Sequence, residues 1–139
     1  MGHTVFVYGT LLRGERNHHY LRKARRLGNW RTPPRFSLWS LGAYPVACPN
    51  GSQRIDGEIY RIDERQLGLL DQLEEVPHYY YRTSLHTPWG EAWIYLQPQP
   101  PAGARPLPAG RWRKRSQRVV QRMGFESVAA TQGGAGSDQ

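Results

Sequence analysis

The segment Thr4-Val5-Phe6-Val7-Tyr8-Gly9 is the strongest fold signal in the chain, because it combines a strand with the turn that ends it. β-Branched and aromatic residues favour a buried strand, and the glycine lets the chain turn sharply. The loop that continues through Thr10 and Leu11 can direct backbone N–H groups at a carboxylate or at a polarised carbonyl oxygen. An ordinary strand-ending glycine gives the same pattern, so this loop alone does not identify a site.

Outward from this strand, the periodicity of the chain predicts a mixed α+β domain that is rich in antiparallel pairing. Strands are predicted over Phe36–Trp39, Asp56–Ile62, Tyr79–His86 and Trp89–Leu96, with a hairpin turn at Thr87–Gly90 and a helical stretch within Glu15–Leu27. A second helix is predicted from about Glu64 to about Glu74, because Asp63 is a good capping residue and apolar residues follow it at helical spacing.

Glu74 is the candidate acid–base group. Four leucines share one apolar face of the predicted helix: Leu67, Leu69, Leu70 and Leu73. On a helical wheel Glu74 falls at the border of this face and Glu75 falls nearly opposite to it. Partial burial would raise the pKa of Glu74 from about 4.3 toward neutrality, which suits a group that both accepts and donates a proton. A structural alternative is a boundary glutamate that pairs with Arg82 or another basic residue.

Composition limits the class of protein. The chain has 139 residues and one cysteine, Cys48, so neither an intrachain disulfide nor a multi-cysteine metal site can form. A single thiol fits a reducing compartment, and the sequence shows no basic-then-apolar leader and no run long enough to cross a bilayer. We therefore expect a cytoplasmic protein with no membrane partner.

The formal net charge of +8 is concentrated near the C-terminus, since more than half of the excess lies in residues 105–139. A proline-rich connector follows Gln97, and Gly110-Arg111-Trp112 is expected to dock it back onto the domain. We predict a domain over residues 1–112 and a basic, flexible tail over residues 113–139. The tail has the charge to contact nucleic acid but contains no recognition motif.

Several segments together resemble the gamma-glutamylcyclotransferase-like (avirulence-induced-gene-like) family, in particular its small bacterial members and the gamma-glutamylamine cyclotransferases. In chain order they are Phe6-Val7-Tyr8-Gly9-Thr10-Leu11, Leu41-Gly42-Ala43-Tyr44-Pro45, Gly57-Glu58-Ile59-Tyr60, and Leu70-Asp71-Gln72-Leu73-Glu74 followed by Tyr80-Tyr81-Arg82. Gly110-Arg111-Trp112 resembles the closing motif of the family. Glu75 is a departure, because the family usually has a glycine after the catalytic glutamate. The basic tail is a second one, because it has no counterpart.

The resemblance implies a small, closed, mixed-strand β-barrel flanked by helices, with a pocket at one side. It implies an enzyme in which the α-amine of a γ-glutamyl compound attacks its own γ-carbonyl, releasing 5-oxoproline and an amine. Glu74 would act as general acid and base. The substrate-binding residues implied are Tyr8, Gly9, Thr10, Leu11, Tyr80 and Arg82. No metal or cofactor is implied, and neither the leaving amine nor the oligomeric state can be read from the sequence.

Two other hypotheses stay open at this point. The first is a non-catalytic binding module that keeps the family scaffold and uses the basic tail for nucleic acid or another acidic partner. It predicts salt-sensitive binding that is lost when residues 113–139 are removed. The second is an enzyme of the same scaffold that acts on an unrelated amide.

Overall fold

The computed structural model describes residues 2–113, which form eight strands and one α-helix. The strands are β1 (Gly2–Val7), β2 (Arg25–Arg31), β3 (Phe36–Ser40), β4 (Pro45–Pro49), β5 (Asp56–Asp63), β6 (Tyr81–Thr87), β7 (Gly90–Leu96) and β8 (Arg105–Pro106). Helix α1 spans Glu64–Leu73, and a single 3-10 turn spans His18–Leu21. The mixed α+β class expected from the sequence is confirmed.

Strand β1 lies at the centre of the larger sheet, whose strand order is β2-β5-β1-β7-β6. It runs antiparallel to β5 and parallel to β7. Val5 and Val7 face a core that includes leucines of α1, whereas Phe6 and Tyr8 face a second core. A strand that is covered on both faces needs a continuous apolar run, which is what this stretch of sequence supplies.

Helix α1 begins where the sequence predicts. The Asp63 side chain accepts a hydrogen bond from the backbone N–H of Gln66, and the Gln66 side chain accepts one from the N–H of Asp63. This reciprocal capping box satisfies two N–H groups that a helix start otherwise leaves unpaired. Leu67 and Leu70 are buried on the inner face of the helix, so α1 packs against the larger sheet.

Three strands were not predicted, namely β2, β4 and the two-residue β8, and the helical stretch expected within Glu15–Leu27 is mostly wrong. Only the short 3-10 turn forms there, and the chain enters β2 at Arg25. β2 pairs with β5 along most of its length, from Arg25 opposite Arg61 to Arg31 opposite Asp56. This long-range pairing overrides the local helical preference of a polar, basic segment. β4, also missed, pairs with β3 in the smaller sheet, whose order is β4-β3-β8.

The strands do not close into the barrel that the resemblance implied. In residues 2–113 the two sheets remain separate ladders, and one backbone hydrogen bond, from Gln97 N–H to the Ala47 carbonyl at 3.0 Å, joins the end of β7 to β4. On the other side Pro33 and Pro34, which have no N–H to donate, lie between β2 and β3. The fold is therefore two packed sheets with one flanking helix.

The expected docking of Gly110-Arg111-Trp112 is observed. Trp112 is 1% exposed and belongs to the second core. Gly110 has φ 74°, and a Cβ at this position would lie 2.1 Å from the carbonyl oxygen of Arg54, so glycine is required. The tail predicted after this segment lies outside the described residues from position 114 onward. Within the described part of the chain, no helix is long and apolar enough to span a bilayer.

Candidate active site

A cavity of about 240 Å³ opens where β1 ends. Its walls come from the loop after β1, from the C-terminal end of α1, from the segment that precedes β6, and from β7. Six of the seven residues that the sequence singled out line it: Tyr8, Gly9, Thr10, Leu11, Glu74 and Tyr80. The fold thus brings the strand-end loop and the helix-end carboxylate to one site.

The backbone N–H groups of the loop after β1 have no hydrogen-bond acceptor within the described residues. Among the backbone and side-chain hydrogen bonds of residues 2–113, none has the N–H of Gly9, Thr10 or Leu11 as donor. The loop is held instead through its acceptors, because Asn17 donates from its backbone N–H to the Thr10 carbonyl and from Nδ2 to Thr10 Oγ1, at 2.9 and 3.0 Å. Three consecutive donors therefore remain available at the cavity.

Glu74 is a partly buried carboxylate at the end of α1. Its backbone N–H donates to the Leu70 carbonyl at 2.9 Å, which fixes the residue at the last turn of the helix. Burial raises the pKa of the Glu74 side chain to about 7. In the part of the chain that the structure describes, no hydrogen bond or ion pair reaches this carboxylate. Glu75, next along the chain, is exposed.

The alternative that Glu74 pairs with Arg82 is wrong, and Arg82 also does not reach the cavity. Its Nε donates to Asp71 Oδ1 at 2.8 Å, and its guanidinium lies over the Trp93 ring at 4.1 Å from the centroid. β6 presents Arg82 to this face, where a carboxylate and an aromatic ring hold a planar guanidinium better than open solvent does. Arg82 is therefore the one predicted substrate-binding residue that does not line this cavity.

Three phenols make the cavity walls around Glu74 neutral. Burial raises the pKa values of Tyr8, Tyr80 and Tyr95 above their usual range, and the charge of Glu74 adds to the rise in each case. Each phenol is therefore protonated at physiological pH and lies within electrostatic reach of the carboxylate. Such walls desolvate Glu74 without neutralising it, which accounts for its raised pKa.

Sequence reasoning missed several cavity residues: Arg16, Asn17, Tyr44, Tyr79 and Tyr95. Tyr44 lies in the Leu41–Pro45 segment that already resembled a family loop, so that resemblance was a usable signal. Asn17 follows Thr10 by seven residues in an irregular loop, where no periodicity marks it. In the sequence, nothing distinguishes Tyr95 from an ordinary buried strand residue.

A second cavity, of about 420 Å³, lies near Trp30 and Trp112 and is lined by two carboxylates together with arginines. Its carboxylates have basic partners: Asp56 pairs with Arg31 and Arg111 at 2.6 and 3.2 Å, and Glu58 pairs with Arg113 at 3.2 Å. In residues 2–113 no cluster of three or more His, Cys, Asp or Glu residues could hold a metal ion.

The chain is similar to known proteins over most of its length. Residues 5–114 match the family described as "Gamma-glutamyl cyclotransferase, AIG2-like". A Vibrio cholerae protein is 50% identical over 96 residues, which cover 69% of this chain and 83% of the relative. The Escherichia coli gamma-glutamylcyclotransferase family protein YtfP is 38% identical over 108 residues, covering 78% and 94% of the two chains.

Two solved structures support the same relationship. The solution structure of Escherichia coli YtfP has a TM-score of 0.65 at 37% identity and covers 81% of this chain and 98% of its own. The crystal structure of a mouse AIG2-like protein has a TM-score of 0.65 at 29% identity, with coverage of 73% and 80%.

Proposed function

The chain belongs to the gamma-glutamyl cyclotransferase, AIG2-like family, and on that premise we propose that it cyclises a γ-glutamyl compound to 5-oxoproline and releases an amine. The observation that carries the proposal is the Glu74 carboxylate, which has a pKa near 7 and lines a small cavity beside three free backbone N–H groups. A group with this pKa is present in both protonation states at neutral pH.

Glu74 acts first as a base. The α-amine of the substrate has a pKa of about 8 and is mostly protonated at pH 7, so it must lose a proton before it can attack. Glu74 takes this proton, and the amine nitrogen forms a bond to the γ-carbonyl carbon of the same molecule. The carbonyl oxygen becomes an oxyanion in the tetrahedral intermediate.

Glu74 then acts as an acid. It returns the proton to the nitrogen of the leaving group, the γ-carbon–nitrogen bond breaks, and the carbonyl re-forms in the five-membered ring of 5-oxoproline as the ring nitrogen loses its second proton to Glu74. The attacking nitrogen therefore loses two protons and the leaving nitrogen gains two, because the released amine is protonated at neutral pH, so no proton is consumed. General acid–base catalysis of this kind contributes about 10²–10⁴ in rate.

The loop after β1 supplies the positioning. The N–H groups of Gly9, Thr10 and Leu11 hold the α-carboxylate of the substrate or the oxyanion, which selects the folded conformer that ring closure needs. Effective molarities for well-oriented intramolecular reactions reach about 10⁵–10⁸ M. Tyr8 and Tyr80 form neutral walls that exclude water from the reacting amide.

The test is 5-oxoproline release from a panel of γ-glutamyl amino acids, amines and peptides by the full chain. Wild type is expected to turn over at least one class, Glu74→Gln to lose the activity while keeping its fold, and Glu75→Gln to stay near wild type. Glu74→Gln with unchanged turnover would remove Glu74 from the mechanism. Equal losses in both variants would indicate a general charge effect. No product from any member of the panel would leave the unrelated-amide and binding-module hypotheses in its place.

A further inference from the structure

Three tyrosines line the cavity together with Glu74, yet each donates its hydroxyl hydrogen bond to another acceptor. Tyr8 donates to the Tyr95 carbonyl, Tyr80 donates to the Pro45 carbonyl at 2.8 Å, and Tyr95 donates to Asp71 Oδ1 at 2.7 Å. A hydroxyl has one proton to donate. In the described structure the Glu74 carboxylate therefore shares its cavity with three phenols and receives a hydrogen bond from none of them.

One of the three acceptors differs in kind from the other two. The acceptors for Tyr8 and Tyr80 are backbone carbonyls, which the fold fixes, whereas the acceptor for Tyr95 is the side chain of Asp71. Asp71 lies on α1, three residues before Glu74, on the adjoining part of the helix surface. The direction of the Tyr95 hydroxyl thus depends on a residue that can be changed without altering the backbone.

Asp71 is itself held in place from outside the cavity. The same Oδ1 atom that accepts from Tyr95 accepts from Arg82 Nε at 2.8 Å. Arg82 is fixed in turn by the Trp93 ring beneath its guanidinium. Both members of the ion pair are about one-quarter exposed, so the pair is partly shielded from solvent.

We propose that Asp71 is a positioning residue for the acid–base group. Arg82 holds Asp71 in place, and Asp71 accepts the hydrogen bond of the Tyr95 hydroxyl, which keeps Tyr95 from donating to Glu74. The inference rests on the proposed role of Glu74. Without Asp71, the Tyr95 hydroxyl is free to turn toward the nearest unpaired acceptor in the cavity. A hydrogen bond to the ionised form of Glu74 stabilises that form and lowers the pKa of the group. A less basic Glu74 removes a proton from the amine less effectively.

Other groups around the cavity also contribute to its electrostatics. The remaining charged or titratable side chains that line it are Arg16, Tyr44, Glu75 and Tyr79, and Cys48 faces Tyr8 from the second sheet. None of these changes in the experiment below. Removal of a nearby negative charge in general also favours the ionised form of a carboxylate, so the double-mutant design separates a charge effect from the hydrogen bond.

The experiment is a double-mutant cycle on the full chain with Asp71→Ala, Tyr95→Phe and the double variant. The pKa of Glu74 is measured directly from the pH titration of its side-chain carboxyl carbon by NMR, which needs no activity. The acidic limb of kcat/KM for 5-oxoproline release is the second readout. Circular dichroism checks the fold of each variant.

The expected result is that Asp71→Ala lowers the pKa of Glu74 by about one unit or more, and that most of this shift disappears when Tyr95→Phe is also present. A shift of the same size with and without Tyr95→Phe would show a charge effect alone and overturn the proposal. So would no shift at all. If Asp71→Ala does not fold, Asp71→Asn serves instead, because it removes the charge but keeps an oxygen acceptor for Tyr95. The shift in the Glu74 pKa that Asp71→Asn causes should then be the same with and without Tyr95→Phe. A shift that Tyr95→Phe abolishes would contradict the proposal.

These outcomes are distinguishable from failure of the proposed function. If the wild-type chain releases no 5-oxoproline, the kinetic readout is lost and the proposed function fails. The NMR titration still reports whether Asp71 and Tyr95 control the ionisation of Glu74.

Discussion

A Cβ built on Gly9 lies 2.7 Å from both Cγ and Cδ of Pro45, so the proline ring occupies the space that any larger side chain at position 9 would need. Gly9 does not have a left-handed φ, so space rather than conformation requires the glycine. Pro45 also begins β4, and its carbonyl accepts from Tyr80. The contact thus fixes the free N–H groups of the loop against the smaller sheet.

Gly9→Ala is expected to reduce 5-oxoproline release strongly, because Pro45 and the loop must move apart to accept the methyl group. Overpacking of this kind costs about 1–3 kcal/mol of folding free energy. The measurements are kcat/KM and urea denaturation. Gly68→Ala is the matched control, since a Cβ at Gly68 meets no atom within 4 Å and alanine favours the helix by about 1 kcal/mol. Full activity in Gly9→Ala would contradict the argument.

The activity should depend on pH through Glu74. The base must be ionised to accept a proton, so kcat/KM is expected to fall as the pH drops through about 7, the pKa to which burial raises this carboxyl. The acidic limb of the pH dependence of kcat/KM should be unchanged in Glu75→Gln. An acidic limb near 4.5, the ordinary value for glutamate, would show that the essential group is not desolvated.

The same desolvation has a cost in stability, and its sign can be derived. Because the pKa of folded Glu74 exceeds its unfolded value, the folded state binds more protons between pH 4.5 and about 7, and the free energy of unfolding falls as the pH rises through this interval. Glu74→Gln should therefore raise the free energy of unfolding at pH 8 by on the order of 1–3 kcal/mol and leave it nearly unchanged at pH 4. Urea denaturation at the two pH values measures this difference. Destabilisation at pH 8 would mean that the carboxylate makes a favourable contact.

The sequence was sufficient to predict the parts of the fold that local chemistry determines. The apolar run before Gly9 and the capping residue Asp63 predicted β1 and the start of α1, and the helical wheel put Glu74 at the edge of the buried face. Their signals are contained within a few neighbouring residues. For this reason the residues of the strand-end loop and the helix end could be named before their proximity was known.

The features that the sequence did not reveal depend on contacts between distant segments. Strand β2 forms because its backbone pairs with that of β5, and nothing in the arginine-rich sequence of β2 indicates that partner. Arg82 follows the family pattern, but whether it turns to the cavity or to Asp71 depends on the pairing of β6 with β7. Tyr95 and Asn17 reach the cavity only through tertiary packing.

Glu75 adopts a backbone conformation that favours glycine. Its φ is 54°, directly after the last turn of α1, where a left-handed residue commonly ends a helix. This explains why the resembling family usually has glycine there. Glu75→Gly is expected to raise the free energy of unfolding by about 1 kcal/mol, because a side chain is disfavoured in this region. Thermal unfolding measures it, with Glu75→Gln as a control that keeps the side chain and should show no gain.

The folded domain is expected to end at Arg113. Trp112 fills the second core, and Arg113 donates to the Arg13 carbonyl at 2.7 Å and to Glu58 Oε2 at 3.2 Å, which ties the end of the described chain to the segment after the active-site loop. A chain of residues 1–113 is therefore expected to fold and to keep its kcat/KM. Removal of residues 110–113 as well should unfold it, because loss of a buried tryptophan side chain alone costs about 3–5 kcal/mol.

Chains that end after residue 113, 112 or 109 can be compared by thermal unfolding and by 5-oxoproline release. The chain that ends at 112 isolates Arg113: it retains the tryptophan but loses the contacts to Arg13 and Glu58, so a modest loss of stability is expected. Unchanged stability of the chain that ends at 109 would show that the closing segment does not hold the two sheets together. A chain of residues 1–113 that folds but is inactive would assign part of the activity to residues 114–139.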